Sequence, residues 1–185
     1  MNIFFIILMS SGRIAKSTVE AFTAFYQQYL PKVFKYVSYK VTDRSLAEDI
    51  TSTVFEKALT KFNQYNEEKA SVSTWIFRIA RNTLIDHFRA GARGRNVPLE
   101  EAAEVPAGGL SAEQQVENSE ECRILHSCIK KLTEPEQEIV SLKFSAEMTN
   151  RQIAGVLGLS ESNVGVILYR AVRKLRKDFE DLSHG

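Results

Sequence analysis

Trp75, the only tryptophan among 185 residues, lies in the stretch Val72 to Arg89, VSTWIFRIARNTLIDHFR, beside Arg78, Arg81 and Arg89. At helical spacing Ile76, Phe77, Ala80, Thr83, Leu84, His87 and Phe88 share one side. Arg78, Arg81, Asn82, Asp86 and Arg89 share the other, and Trp75 goes with them. An indole among guanidinium groups suits stacking on bases and pairing with phosphates, because it has no core to fill from that side. The alternative is that Trp75 packs partly under the first helix.

A second set of residues lies near the C-terminus. The short helical run IAGVL, the turn Gly158-Leu159-Ser160 and the small Ala154 make a helix-turn-helix pattern. In that geometry Ser162, Asn163 and Val166 face base edges in the major groove, while Arg170, Arg173, Lys174 and Arg176 face phosphates. A plain helical hairpin with a solvated basic tail is the competing reading.

Catalytic chemistry has little to work with. The histidines are His87, His126 and His184, His87 falls on the apolar side of its helix, and no phosphate-cradling glycine loop or nucleophile motif occurs. The chain therefore reads as a non-enzyme without a cofactor. Cys122 and Cys128 match neither a disulfide framework nor a paired CxxC site, and a reducing cytoplasm fits them. Cys122 and His126 can share a helix face, so a metal or redox role stands beside the reading of small core residues.

The elements that must position these residues are helices throughout. Residues 17 to 41 repeat apolar positions at three and four, with Ser17 or Thr18 as cap and a break or kink expected at Pro31. A second helix, capped by Thr42 or Asp43, buries Ala47, Ile50, Val54, Phe55, Ala58, Leu59 and Phe62. After a polar loop, Ser73 or Thr74 caps the Trp75 helix. Farther on, a helix from Glu120 to Leu132 turns Ile124, Leu125, Cys128, Ile129 and Leu132 inward. Thr133 and Thr149 each open a capping box, and the helix between them buries Ile139, Val140, Leu142 and Phe144.

Charge divides the chain in the same way. Residues 13 to 96 carry 14 Lys/Arg against 8 Asp/Glu, residues 97 to 121 carry none against 7, and residues 122 to 185 carry 10 against 8. The acidic stretch also holds Pro98, Pro106, Gly108 and Gly109, and cannot bury enough apolar surface to fold alone. The expectation is an all-α protein of two small helical domains joined by a flexible acidic linker. Its parts are an N-terminal extension at 1–16, a first domain at 17–95, the linker at 96–118 and a helix-turn-helix domain at 119–182. The apolar run Ile3 to Met9 is too short for a bilayer span and lacks a basic flank, so stable membrane insertion is not expected. It reads as a surface contact, as an extension packed on the body or, slightly preferred, as upstream of a true start at Met9.

Three motifs together resemble the sigma-70 family of bacterial transcription initiation factors, and within it the small extracytoplasmic-function (ECF) group. They are AEDITSTVFEKAL at 47 to 59, STWIFRIARNTLIDHFR at 73 to 89, and LTEPEQEIVSLKF followed by TNRQIAGVLGLSESNVGVILYRAVRKLR at 149 to 176. The resemblance implies a dissociable specificity subunit that binds core RNA polymerase in the cytoplasm and directs promoter-specific initiation. It assigns Asp49, Ser52, Thr53 and Lys57 to the polymerase contact. It assigns Trp75, Arg78, Arg81, Asn82 and Arg89, with Asn66 and Ser71 from the preceding loop, to the melted non-template strand of the minus-ten element. The helix-turn-helix then reads duplex DNA at the minus-thirty-five element, and an anti-sigma factor is the expected regulator. Ser52-Thr53 stands where the family usually has a Gln-Glu pair, and Gly165 and Ile167 stand where basic residues are common. A free-standing helix-turn-helix regulator is the alternative function.

Overall fold

A computed structural model describes residues 16–41, 43–93 and 120–183. The N-terminal apolar run, the cap candidate Thr42, the acidic linker at 96–118 and His184 lie outside them. Among the described residues the regular structure is helical. The elements are α1 (Lys16–Lys40), α2 (Arg44–Lys61), a 3-10 turn (Phe62–Gln64), α3 (Val72–Arg93), α4 (Glu120–Lys130), α5 (Glu134–Phe144), α6 (Asn150–Leu157) and α7 (Glu161–Ser183).

α1, α2 and α3 pack on one another through the apolar stripes read from their periodicity. Val33, Val37, Val54, Ala58, Ile76, Phe77 and Ala80 are fully buried. α1 runs through Pro31 without a break in the helix. An interior proline costs roughly 3 kcal/mol, and burial of Val33, Tyr36 and Val37 immediately beyond it offsets that loss. Asp43 caps α2 by accepting a hydrogen bond from the Leu46 amide.

In the second half α7 packs on α4, α5 and α6. Thr133 and Thr149 open α5 and α6 as expected: the Glu136 carboxylate accepts from the Thr133 amide, and the Gln152 carbonyl oxygen accepts from the Thr149 amide. Gly158 ends α6 with φ +71°, a left-handed conformation that favours glycine. Of the expected core residues, Leu59, Phe62, Ile124 and Ile129 are half-buried, and two are exposed: Phe144 at 58% and Leu125 at 43%. Phe144 is the last residue of α5, beyond the point where the chain turns away with Ala146 and Met148 filling the core instead.

The two halves share one apolar cluster. Ile139, Leu142, Met148, Ile153 and Val156 from the second half join Phe22, Tyr36, Ile76 and Phe77 from the first. No helix among the described residues is long and apolar enough to cross a membrane.

Candidate nucleic-acid interface

Trp75 is the first residue whose placement differs from the sequence reading. It is half-buried, with ring centroids 5.8 Å from Phe25, 5.2 Å from Tyr65 and 6.4 Å from Phe62. The Tyr65 and Phe62 rings come from the turn after α2, so an apolar wall exists where the helical wheel of α3 alone showed a polar side. Trp75 therefore joins the core at its edge, as the packing alternative had it.

The loop before α3 is committed to its own turns. Ser71 Oγ accepts from the Thr74 amide at 3.2 Å and lies 3.0 Å from Thr74 Oγ1, which makes Ser71 the cap of α3 in place of Ser73 or Thr74. Asn66 Oδ1 accepts from the Glu68 amide at 2.8 Å, closing a local turn. Asn66 and Ser71 are both exposed, yet each uses its side-chain oxygen locally.

Arg78, Arg81 and Arg89, the arginines of α3 whose side chains are described, divide into two groups. Arg89, with Asn82, is exposed on the solvent side. Arg78 donates from Nε to the Gly155 carbonyl of α6 at 2.7 Å, and its Nη2 reaches the same oxygen. Arg81 Nε lies 3.8 Å from Glu138 of α5. His87, expected on the apolar side, is exposed against the edge of Phe88.

On α2, Asp49 and Ser52 are exposed, Thr53 donates to the Asp49 carbonyl at 2.9 Å, and Lys57 lies 3.3 Å from Asp86 of α3. Beside Ser52 a groove of about 450 Å³ opens between α1 and α2. Tyr26, Leu30, Pro31, Phe34 and Phe55 form its apolar walls, with Arg44 and Glu48 at its rim. The buried Thr51 hydroxyl lines it without a hydrogen-bond partner. Sequence reasoning missed this groove, because its walls come from two helices whose polar faces were read separately.

In the helix-turn-helix, Ser162, Asn163, Arg170 and Arg173 are exposed on α7, and Val166 is 44% exposed. The Ser160 hydroxyl accepts from the Asn163 amide and caps the helix start. Lys174 donates to Glu136 at 2.6 Å and so braces α7 against α5. Burial opposes charge on Glu136, but Lys174 and the Thr133 amide and hydroxyl hold its carboxyl below the usual range. Tyr169, 67% exposed, adds an aromatic to the exposed face of α7 that carries Val166 and Arg173, and the sequence analysis passed it over. Its spacing of three from Val166 and four from Arg173 was the available signal.

No group of three or more metal-binding side chains occurs among the described residues. Cys128 is a buried free thiol, while the side chain of Cys122 lies outside the described residues. Burial, then the charge of Lys130, pushes the His126 imidazole below its ordinary value.

Comparison with known proteins identifies this arrangement. The Sigma-70 region 2 family matches residues 25–94, and the "Sigma-70, region 4" family matches residues 122–175. The ECF RNA polymerase sigma factor BldN of Streptomyces coelicolor is 30% identical over 177 residues, covering 91% of this chain and 64% of BldN. The ECF RNA polymerase sigma factor SigM of Bacillus subtilis is 26% identical over 158 residues, covering 82% of this chain and 90% of SigM. In fold, the chain is similar to the sigma factor RpoE in its complex with the anti-sigma factor NepR from Bartonella quintana. The TM-score is 0.69 at 17% identity, over 88% of this chain and 98% of that one. The chain belongs to the sigma-70 family, in its extracytoplasmic-function group, with region two carried by α1 to α3 and region four by α4 to α7.

Proposed function

We propose that the chain is a promoter-specificity subunit that binds core RNA polymerase through α2, engages melted minus-ten DNA through α3 and reads the minus-thirty-five duplex through α7. The observation that carries this reading is the presence of both sigma-70 regions, in family order, on one chain. It performs no catalysis of its own; nucleotide chemistry belongs to the polymerase, which puts its work in the cytoplasm.

Each contact has a physical basis. Asp49 and Ser52 stand exposed beside the groove between α1 and α2, so a polymerase helix gains apolar burial and polar pairing in one place. Along α3, Arg89 and Asn82 supply phosphate and edge contacts, and the half-buried Trp75 offers its exposed edge as a wedge against the last paired base. On α7, Ser162, Asn163, Val166 and Tyr169 meet base edges, and Arg170 and Arg173 meet phosphates. Lys174, engaged by Glu136, positions α7 instead of contacting DNA. An anti-sigma factor is the proposed regulator, supported by the complex in which the structurally similar RpoE was solved.

The test measures core-polymerase affinity and promoter opening in parallel for two variants. Asp49→Ala should weaken core binding and leave opening by the assembled holoenzyme intact. Arg89→Ala should do the reverse, and equal loss of both quantities in each variant refutes the assignment.

A further inference from the structure

Among the described residues, Gly91, Gly155 and Gly165 stand inside helices. Packing requires Gly155, since an added Cβ would lie 2.9 Å from Thr74 Cγ2. Gly91 falls in the last turn of α3, where helices fray in any case. Gly165 stands in the second turn of α7, and neither reason applies to it. Its backbone is not left-handed, and a Cβ added there would meet only Asn150 Nδ2, at 3.7 Å, an ordinary contact. Alanine would therefore fit, and glycine in place of alanine lowers the folded-to-unfolded ratio of a helix by about fivefold.

The missing side chain leaves a notch beside the exposed face of α7. Val164 and Ala171 are fully buried on the inner side, whereas Ser162, Val166 and Tyr169 are exposed. Gly165 is three residues from Ser162 and four from Tyr169, so it lies between them on the helix surface, with Val166 beside it and Asn150 of α6 on the far side. No Lys or Arg occurs from Glu161 to Tyr169, so the first two turns lack the side chains that take guanine through O6 and N7. We infer that the notch at Gly165 receives the C5 methyl of a thymine, and that Gly165 thereby selects an A·T pair in the duplex read by α7. This rests on the reading of α7 as the duplex-reading helix. Thymine presents a methyl group in the major groove. That methyl matches in size the Cβ that Gly165 lacks, and Val166 and Tyr169 supply apolar walls for it. A local weakness of the helix is thus tied to a contact outside the chain, as expected where function and stability compete.

The experiment assembles the full chain with core polymerase and selects from duplexes randomised over about ten base pairs of the upstream element, one helical turn. The chain alone is run in parallel. The tightest duplex is then resynthesised with each thymine replaced in turn by deoxyuridine, which lacks only the methyl. Replacement at one position should lower the affinity of the native protein by about fourfold, the worth of one buried methyl group. Gly165→Ala should bind the thymine and deoxyuridine duplexes equally, because its own methyl fills the notch, and should unfold at a higher denaturant concentration than the native chain. Val166→Ala, which removes an exposed wall, should reduce the same discrimination. Equal affinity of the native protein for thymine and deoxyuridine at every position overturns the assignment, as does full discrimination retained by Gly165→Ala. A lower denaturation midpoint in Gly165→Ala also overturns it, by showing that the fold itself requires the glycine. Methyl-dependent binding by the chain alone, without any promoter-specific transcript from chain and core polymerase, would instead leave the notch standing and remove the sigma-factor reading.

Discussion

Truncating the Trp75 indole removes its ring contacts with Phe25, Phe62 and Tyr65 as well as any edge offered to DNA. Trp75→Ala should therefore cost about 2 kcal/mol of stability, below the range for a fully buried aromatic, and Trp75→Phe should recover most of it in denaturant unfolding. Arg89→Ala, on an exposed side chain, should leave the thermal midpoint within about 1 °C of the parent while reducing promoter opening. The buried side of α3 was legible from period alone, since Ile76, Phe77, Ala80, Thr83 and Leu84 all fall inside. Trp75 was not, because the wall it meets is built by residues 62 and 65 across a turn. The cap of α3 was misassigned for a related reason: a short polar side chain in a loop, here Ser71, bonds first to the nearest free amide.

At the scale of the element, the turn between α6 and α7 depends on Gly158 at φ +71°. Gly158→Ala should destabilise the region-four half by about 1 kcal/mol, seen as a lower denaturation midpoint without loss of helix signal in the native state. The brace between α5 and α7 is sensitive to acid. Because the Glu136 carboxyl is held below its ordinary value of 4.5, its contribution is fully present above that value. It is lost as pH falls through the lowered folded-state value. The stability difference between the native chain and Glu136→Gln should accordingly shrink between neutral pH and about pH 3. Both capping boxes and the glycine stop were readable, as each is a contact within four residues. The continuity of α1 through Pro31 was not, because burial of Tyr36 and its neighbours against other elements decides it.

At the scale of the molecule, the all-helical class and the two matched regions were visible in motif order and charge segregation, whereas the contact between the halves was not. Glu138 sits in a run of three glutamates at alternate positions, and nothing local distinguishes the one that reaches Lys40 and Tyr36, 98 and 102 residues away in sequence. The claim on which the rest depends is that the chain confers promoter choice on polymerase. Run-off transcription with purified core polymerase on a library of promoter fragments tests it most directly. The account predicts discrete transcripts that appear only when chain and core are combined. Absence of any specific transcript, together with tight duplex binding by the chain alone, would contradict it.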